Sequence, residues 1–158
     1  MAKTGKGAVS ARLQSVARLA RTDLAARLLE HGFYAGQDQI MLALSAEEGL
    51  TPTQLAARLG VKPPTITKTI NRLQAQGFLC KTGSETDARI AHIRLTDTGS
   101  EAIKAIEKSV KRTEKTLLKG LDKKERKALL KLLARMEANL VHPGGQAAEA
   151  GDDEDEAA

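Results

Sequence analysis

The chain has 158 residues with two Phe, one Tyr and no Trp, which favours one mostly helical domain and argues against base stacking on single-stranded nucleic acid. Residues 142–158 contain six acidic residues and no Lys or Arg. The formal net charge of the whole chain is +5, so residues 1–141 have a net charge of +11. Such a basic body suits a polyanionic partner. No apolar run is long enough for a signal peptide or a membrane span, which predicts a cytoplasmic protein.

Residues 1–8 are predicted to form a flexible basic N-terminus, and residues 9–35 to contain one long amphipathic helix. Its apolar stripe repeats at steps of three and four and consists of Val9, Leu13, Val16, Ala20, Leu24 and Leu28. A second helix, from about Gln37 to Ser45, is apolar on several sides and begins a central module of residues 36–96.

The run TPTQLAARLGVKPPTITKTINRL, residues 51–73, predicts two short helices joined by a tight turn. Thr51 is a good N-cap before a proline at the first helical position. Gly60 can end this helix in the left-handed conformation. Pro63 and Pro64 cannot lie inside a helix, so they must open the next one.

The second helix of the pair has two distinct faces. Its inward stripe is predicted to be Ile66, Ile70 and Leu73. Its outward face is then Thr65, Thr67, Lys68, Asn71 and Arg72. Hydroxyls and amides reach base edges, while Lys and Arg contact guanine or phosphate, as a DNA recognition helix requires. A solvated helix hairpin would show the same pattern.

A β-hairpin is predicted directly after this helix, and a hairpin in that place is a wing. Phe78, Leu79 and Cys80 open its first strand, KTGSETDAR forms the tip, and IAHIRLT returns with alternating faces. Arg89 near the tip is expected to enter a minor groove, with Asp87 holding its guanidinium by a charge-assisted hydrogen bond. The alternative is an ordinary surface ion pair.

Residues 97–141 are predicted to form two further helices. Thr96 caps the first, Gly120 ends it, and Asp122 with Glu125 forms a capping box for the second. The apolar positions of these helices are Ile103, Ile106, Val110, Leu117, Leu129, Leu130, Leu132, Leu133, Met136 and Leu140. Such broad stripes predict a homodimer through the terminal helices, although they could also pack on the chain's own module.

Residues 142–158 are predicted to be a disordered acidic tail. The tail either promotes solubility or mimics DNA and competes for the basic face. Cys80 is expected to be a small buried thiol. The lone Cys and the scattered His residues lack zinc-site spacing, so no metal or cofactor is predicted.

These patterns together predict a mainly α fold with a small β-hairpin wing: a winged helix-turn-helix flanked by N- and C-terminal dimerisation helices. Three stretches, LTPTQLAARLGVKPPTITKTINRLQAQGFL, the wing triplet DAR and the junction IRLTDTG, resemble the MarR family of bacterial winged-helix transcription regulators. The resemblance extends from about Ala8 to Leu140. It implies a dimer, usually a repressor, that releases a palindromic operator when a small molecule binds. Arg18 or His31 would pair with an anionic, aromatic or lipophilic effector; the alternative is that both are solvated or helix-end groups.

Motif and resemblance together predict two sets of site residues. The expected DNA contacts are Gln54, Pro64, Thr65, Thr67, Lys68, Asn71, Arg72, Asp87 and Arg89. The expected effector contacts, at the junction between the dimerisation helices and the module, are Arg18, His31, Tyr34 and Met41. The chain departs from the family at Lys62-Pro63-Pro64, where relatives often have small hydroxyl residues. The two prolines remove side-chain and N–H donors from the helix start.

An enzyme is not predicted, because the sequence shows no nucleophile and base pair, no glycine loop for phosphate and no paired catalytic carboxylates. Two other classes stay open. One is an architectural DNA-binding protein without an effector, and the other is a winged-helix protein interaction module.

Overall fold

The computed structural model describes residues 5–83, 86, 87 and 89–141. The predictions for residues 1–4 and for the acidic tail lie outside them. The elements in chain order are α1 (Ala8–Leu29), α2 (Gln37–Ala46), α3 (Pro52–Leu59), α4 (Pro63–Ala75), β1 (Leu79–Gly83), β2 (Ala91–Leu95), α5 (Asp97–Leu117) and α6 (Lys123–Val141). Helices α1 to α5 and the hairpin belong to one compact unit that ends at Leu117, and α6 belongs to a second that begins at Leu118.

A single hydrophobic core holds the first unit together. Its buried side chains are Leu28, Phe33, Ile40, Met41, Leu44, Leu50, Leu55, Ala56, Ile66, Ile70, Leu73, Leu79, Ile93, Ile103 and Ile106. Every element from α1 to α5 contributes at least one of them, although α1 contributes only Leu28. Helices α3 and α4 are therefore held in place by their inward faces, because the apolar stripes of both helices are part of this core.

The turn between α3 and α4 forms as its residues predict. Thr51 and Gln54 make a reciprocal capping box in which each side chain accepts the other residue's backbone N–H, at 2.9 and 3.2 Å. Gly60 ends α3 in the left-handed region at φ 62°. Lys62 is the N-cap of α4, and the two prolines occupy its first positions, where no N–H is needed.

Strands β1 and β2 form an antiparallel hairpin with Leu79 opposite Leu95 and Gly83 opposite Ala91. Ile93 at its centre is fully buried, and its N–H donates to the carbonyl of Leu50 at 2.9 Å. This bond attaches the hairpin to the segment that precedes α3. Cys80 is half-buried rather than fully buried as predicted, because it lies on the strand face that Arg94 shares.

The hairpin passes into α5 through a close backbone contact. The Thr96 N–H donates to the Phe78 carbonyl at 3.0 Å, and the Thr96 hydroxyl donates to the Gly77 carbonyl at 2.6 Å. The same hydroxyl accepts the N–H of Gly99 at 3.0 Å, which confirms Thr96 as the cap of α5. A β-carbon at Gly99 would overlap the Phe78 carbonyl oxygen, so only glycine fits.

A polar cluster joins α1 to α5. The Thr113 hydroxyl is buried and donates to the Asp23 carboxylate at 2.6 Å. The Arg27 guanidinium donates to the same carboxylate at 2.8 Å. These two hydrogen bonds hold the pKa of Asp23 below its usual value, the Arg27 bond having the larger effect.

The second unit contains one described helix, α6. Asp122 and Glu125 form the predicted capping box at its start, with bonds of 2.8 and 2.9 Å. No residue of α6 is buried, and four of its leucines, at positions 130, 132, 133 and 140, are exposed. Across the described residues, no helix has the length and apolar character needed to cross a membrane.

We predict that Gly99→Ala destabilises the protein by about 2 kcal/mol or more, because the methyl group must push apart the junction of hairpin and α5. Gly83→Ala is the matched control, since a β-carbon there meets no heavy atom within 4 Å and should change stability by less than about 0.5 kcal/mol. Urea unfolding measures both. Equal stability of the two variants would contradict the close contact.

Candidate nucleic-acid interface

Helix α4 presents one polar face to solvent because its other face is buried. Ile66, Ile70 and Leu73 are at most 2% exposed, which fixes the rotation of the helix about its axis. The exposed side chains on the opposite side are Pro64, Thr65, Thr67, Lys68, Asn71 and Arg72, which we call the reading face. Of the predicted outward set, Thr67, Lys68, Asn71 and Arg72 line one open, shallow surface, and Thr65 is exposed on the same helix.

Neighbouring elements hold two members of the reading face in place. The Lys81 ammonium on β1 donates to the Asn71 side-chain oxygen at 3.0 Å. The Arg72 guanidinium lies over the Tyr34 ring, with its central carbon 5.9 Å from the ring centroid, within range of a cation–π interaction. The hairpin thus orients Asn71, and the loop between α1 and α2 orients Arg72.

The C-terminal end of α4 is anchored by an amide network that the sequence did not indicate. The Gln37 side chain, which is 1% exposed, donates to the Gln76 side-chain oxygen at 2.8 Å. Gln76 in turn donates to the Gly32 carbonyl at 3.2 Å. The Tyr34 N–H donates to Gln37 at 2.9 Å. One network therefore fixes both the helix end and the loop that carries Tyr34.

The wing residues lie beside the start of α3. Arg89 and the two residues after it border a hollow whose other side is Thr51, Pro52 and Thr53. The recorded hydrogen bond between Asp87 and Arg89 joins the carboxylate to the Arg89 backbone N–H, at 2.9 Å, and not to the guanidinium as expected. Asp87 therefore shapes the backbone of the wing at this point, and the exposed Arg89 side chain extends from that turn.

Gln54, one of the expected DNA contacts, is exposed and also caps α3. Its side-chain oxygen is used in the capping box with Thr51, so the residue acts first as a cap of α3. The spacing Thr-x-x-Gln before an apolar run is a capping-box signature, so the sequence itself contained the signal. Thr67 is similarly engaged, since its hydroxyl donates to the Pro63 carbonyl at 3.1 Å, yet its side chain stays exposed on the reading face.

The four expected effector contacts differ in their exposure to solvent. Met41 is completely buried in the core, because α2 turns that side inward, and so it cannot line an open site. Tyr34 is about half exposed and contacts Arg72 instead. Arg18 and His31 are both exposed. Met41 is therefore a core residue and not an effector contact, while an effector role of Arg18, His31 and Tyr34 stays a prediction.

A different hollow lies between α1 and the start of α2, with a volume of about 170 Å³. Its lining residues are Arg21, Leu24, Ala25, Leu28, Ala35, Gly36, Asp38 and Gln39. Burial raises the pKa of the Asp38 carboxyl, while backbone N–H groups of Asp38, Gln39 and Gly36 offset part of this effect. The hollow therefore combines apolar walls with one cationic and one buried acidic group.

The order of helices and the hairpin define a winged helix-turn-helix protein, and residues 37–90 match the model of the MarR family. The chain as a whole shares its fold with solved MarR regulators.

Three solved structures illustrate the shared fold. The transcriptional regulator SlyA is similar with a TM-score of 0.79 and 21% identity, covering 86% of this chain and 96% of that one. A MarR transcriptional regulator from Methanosarcina mazei Go1 has a TM-score of 0.78 and 19% identity, with 85% and 97% covered. A mutant MarR from E. coli, complexed with operator DNA, has a TM-score of 0.75 and 21% identity, with 81% and 92% covered.

Proposed function

We propose that this protein is a sequence-specific DNA-binding transcription regulator that acts as a homodimer on a palindromic operator. The observation that carries the proposal is the reading face of α4, a set of exposed polar and basic side chains on a helix fixed by the core. Operator DNA bound to the E. coli MarR mutant, which shares the fold, supports the same partner class for this chain.

The charged residues of the central module, residues 36–96, support DNA binding more strongly than the net charge of the module indicates. Residues 36–96 contain seven Lys or Arg and five Asp or Glu. Two of the acids, Glu47 and Glu48, pair with Arg58 and Arg94, and Asp38 is buried. The cations outside these two pairs are Lys62, Lys68, Arg72, Lys81 and Arg89. They belong to α4, its N-cap and the hairpin, the elements that a winged helix applies to DNA.

Each part of the surface has a chemically distinct role in the proposal. Arg72 and Asn71 have the donor and acceptor groups that read guanine and adenine in the major groove. Lys68 neutralises phosphate or contacts guanine. Arg89 of the wing enters the adjacent minor groove, where the negative potential attracts a guanidinium. Pro64 and Thr65 lie at the helix start and offer apolar and hydroxyl contacts only.

The dimer in the proposal follows from exposed apolar side chains on the terminal helices. Val9, Leu13 and Val16 repeat along one side of α1, and each is more than a third exposed. In α6, the leucines 130, 132, 133 and 140 are exposed as well. Apolar stripes of this length mark interaction surfaces, and a second copy of the chain is the partner that also supplies a second reading face.

The proposal includes repression that a small molecule relieves. The hollow beside Arg21 is the place we assign to an anionic aromatic effector, because a guanidinium can pair with its carboxylate while Leu24 and Leu28 contact its ring. A ligand there would touch Ala35, Gly36, Asp38 and Gln39. These residues flank Gln37, whose side chain bonds to Gln76 at the end of α4 and to the Tyr34 N–H. Effector binding is thus linked to the position of Arg72.

We predict that Arg72→Ala weakens operator binding about 5- to 100-fold and relaxes the base preference at one position in each half-site, because a bidentate contact discriminates by about 1–3 kcal/mol. Binding to a panel of operator variants measures both effects. Lys104→Ala on α5 is the control for loss of one positive charge. An equal loss on all sequences would instead indicate an architectural DNA-binding protein.

We predict that Val16→Glu weakens dimerisation at least tenfold, because it places a charge in an apolar contact between copies. Gln14→Glu adds the same charge to another side of α1 and should leave the dimer intact. Sedimentation velocity at micromolar concentration separates the species. A wild-type protein that sediments as a monomer, or a Val16→Glu protein that remains fully dimeric, would refute this interface.

We predict that simple aromatic carboxylates, of which benzoate is the smallest, shift the operator-binding curve of the wild-type protein to higher protein concentration. Arg21→Gln should abolish the shift, whereas Arg18→Gln, one helical turn away and outside the hollow, should retain it. If no compound of this class shifts the curve, or if only Arg18→Gln abolishes the shift, the assignment of the effector to this hollow is wrong.

A further inference from the structure

A row of exposed cations runs along one side of α6. At 100° per residue, five of them fall within a sector of about 120° of the helix circumference. They are Lys123, Lys124, Lys127, Lys131 and Arg135, which we call the basic stripe. All five side chains are exposed. The leucines of α6 fall mainly on other sides, so a dimer contact through them leaves the stripe accessible.

The basic stripe does not stabilise its own helix. None of its five members has an Asp or Glu three or four residues away, and no ion pair involves them in the part of the chain that the structure describes. Three successive pairs, 123 with 127, 127 with 131 and 131 with 135, place like charges at the spacing that destabilises a helix. Lys123 and Lys124 also lie at the N-terminal end, where the helix dipole disfavours cations.

An arrangement that weakens an isolated helix becomes favourable when a polyanion covers it. The chain itself contains a polyanionic segment, since Glu149 and the five consecutive acids Asp152–Glu156 follow α6 without any intervening Lys or Arg. This segment has six negative charges, and the basic stripe has five positive ones. Covalent linkage gives the tail a high effective concentration at α6, which DNA in solution lacks.

The lengths of the two segments are compatible. Glu149 lies eight positions after Val141, and an extended chain of eight steps reaches about 28 Å. The distance along α6 from Val141 back to Lys123 is about 27 Å. The acidic run begins three residues further on, so its carboxylates can reach every member of the basic stripe.

We propose that the acidic segment of residues 149–156 binds the basic stripe of α6 and keeps this stripe from contacting DNA phosphates without regard to sequence. The reading face of α4 and the wing stay free in this arrangement. Competition of the tail for the DNA-reading face is the opposite arrangement, and the experiment below separates the two. The inference does not depend on operator recognition, since it concerns a contact within residues 118–158.

Paramagnetic relaxation in the full-length protein tests the contact. A nitroxide is attached at Ala150→Cys in a Cys80→Ser background, and amide signals are compared between low salt and about 0.5 M salt, where charge pairs are screened. We expect salt-sensitive broadening over residues 123–135. The control replaces Asp152–Glu156 by Asn and Gln, which should remove this broadening. Broadening on α4 and the hairpin, or broadening of α6 that persists in the neutralised tail, would overturn the proposal.

Binding to random duplex DNA tests the consequence. Neutralising the five tail acids should tighten binding at 50 mM salt about tenfold and steepen its salt dependence, because the stripe can then release counterions from phosphates. Adding Lys123→Gln, Lys127→Gln, Lys131→Gln and Arg135→Gln should cancel the gain.

The matched control adds Lys104→Gln, Lys108→Gln, Lys111→Gln and Lys115→Gln on α5 instead, and it should retain most of the gain. If both sets of four substitutions cancel the gain equally, the tail acts through net charge alone and the stripe is not its partner. Operator preference, measured on the same variants, should be unchanged by neutralising the tail. A loss of that preference would place the tail on the reading face and contradict the proposal.

Discussion

The burial of one side of α4 is the constraint on which the rest of the site depends. Ile66, Ile70 and Leu73 leave the helix only one rotation about its axis, and the remaining residues become the reading face as a consequence. The two prolines fix where the helix begins, and the Gln37–Gln76 amide pair fixes where it ends. A helix hairpin that is merely exposed to solvent would need none of these anchors. Their presence therefore favours a reading face that is held in a fixed geometry for binding a partner.

The wing depends on a second constraint, the backbone contact between Phe78 and the first turn of α5. The Thr96 N–H and hydroxyl donate to the two carbonyls that precede β1, and the hydroxyl also caps the helix. One residue therefore joins the two ends of the hairpin to α5. Gly99 permits the close approach. The motif IRLTDTG is therefore a structural junction, which holds the hairpin at the side of α4.

Local patterns in the sequence predicted most of the fold, because caps, prolines and apolar stripes act over a few residues. Contacts between distant segments were not predictable in this way: Tyr34 with Arg72, Lys81 with Asn71 and Gln37 with Gln76 leave no local pattern. Met41 was placed in an effector site, but an apolar residue on α2 serves a core equally well. The Asp87 carboxylate accepts a hydrogen bond from the Arg89 backbone N–H, and sequence spacing cannot distinguish this bond from one with the guanidinium.

Selection of bound sequences from a random duplex DNA pool tests the central claim most directly. A dimer with two reading faces related by a two-fold axis predicts an enriched palindrome whose half-sites lie about 10 base pairs apart, centre to centre. Enrichment of a single unrepeated site, or of no sequence at all, would contradict the account of α4 and the wing as one half of a two-fold reader.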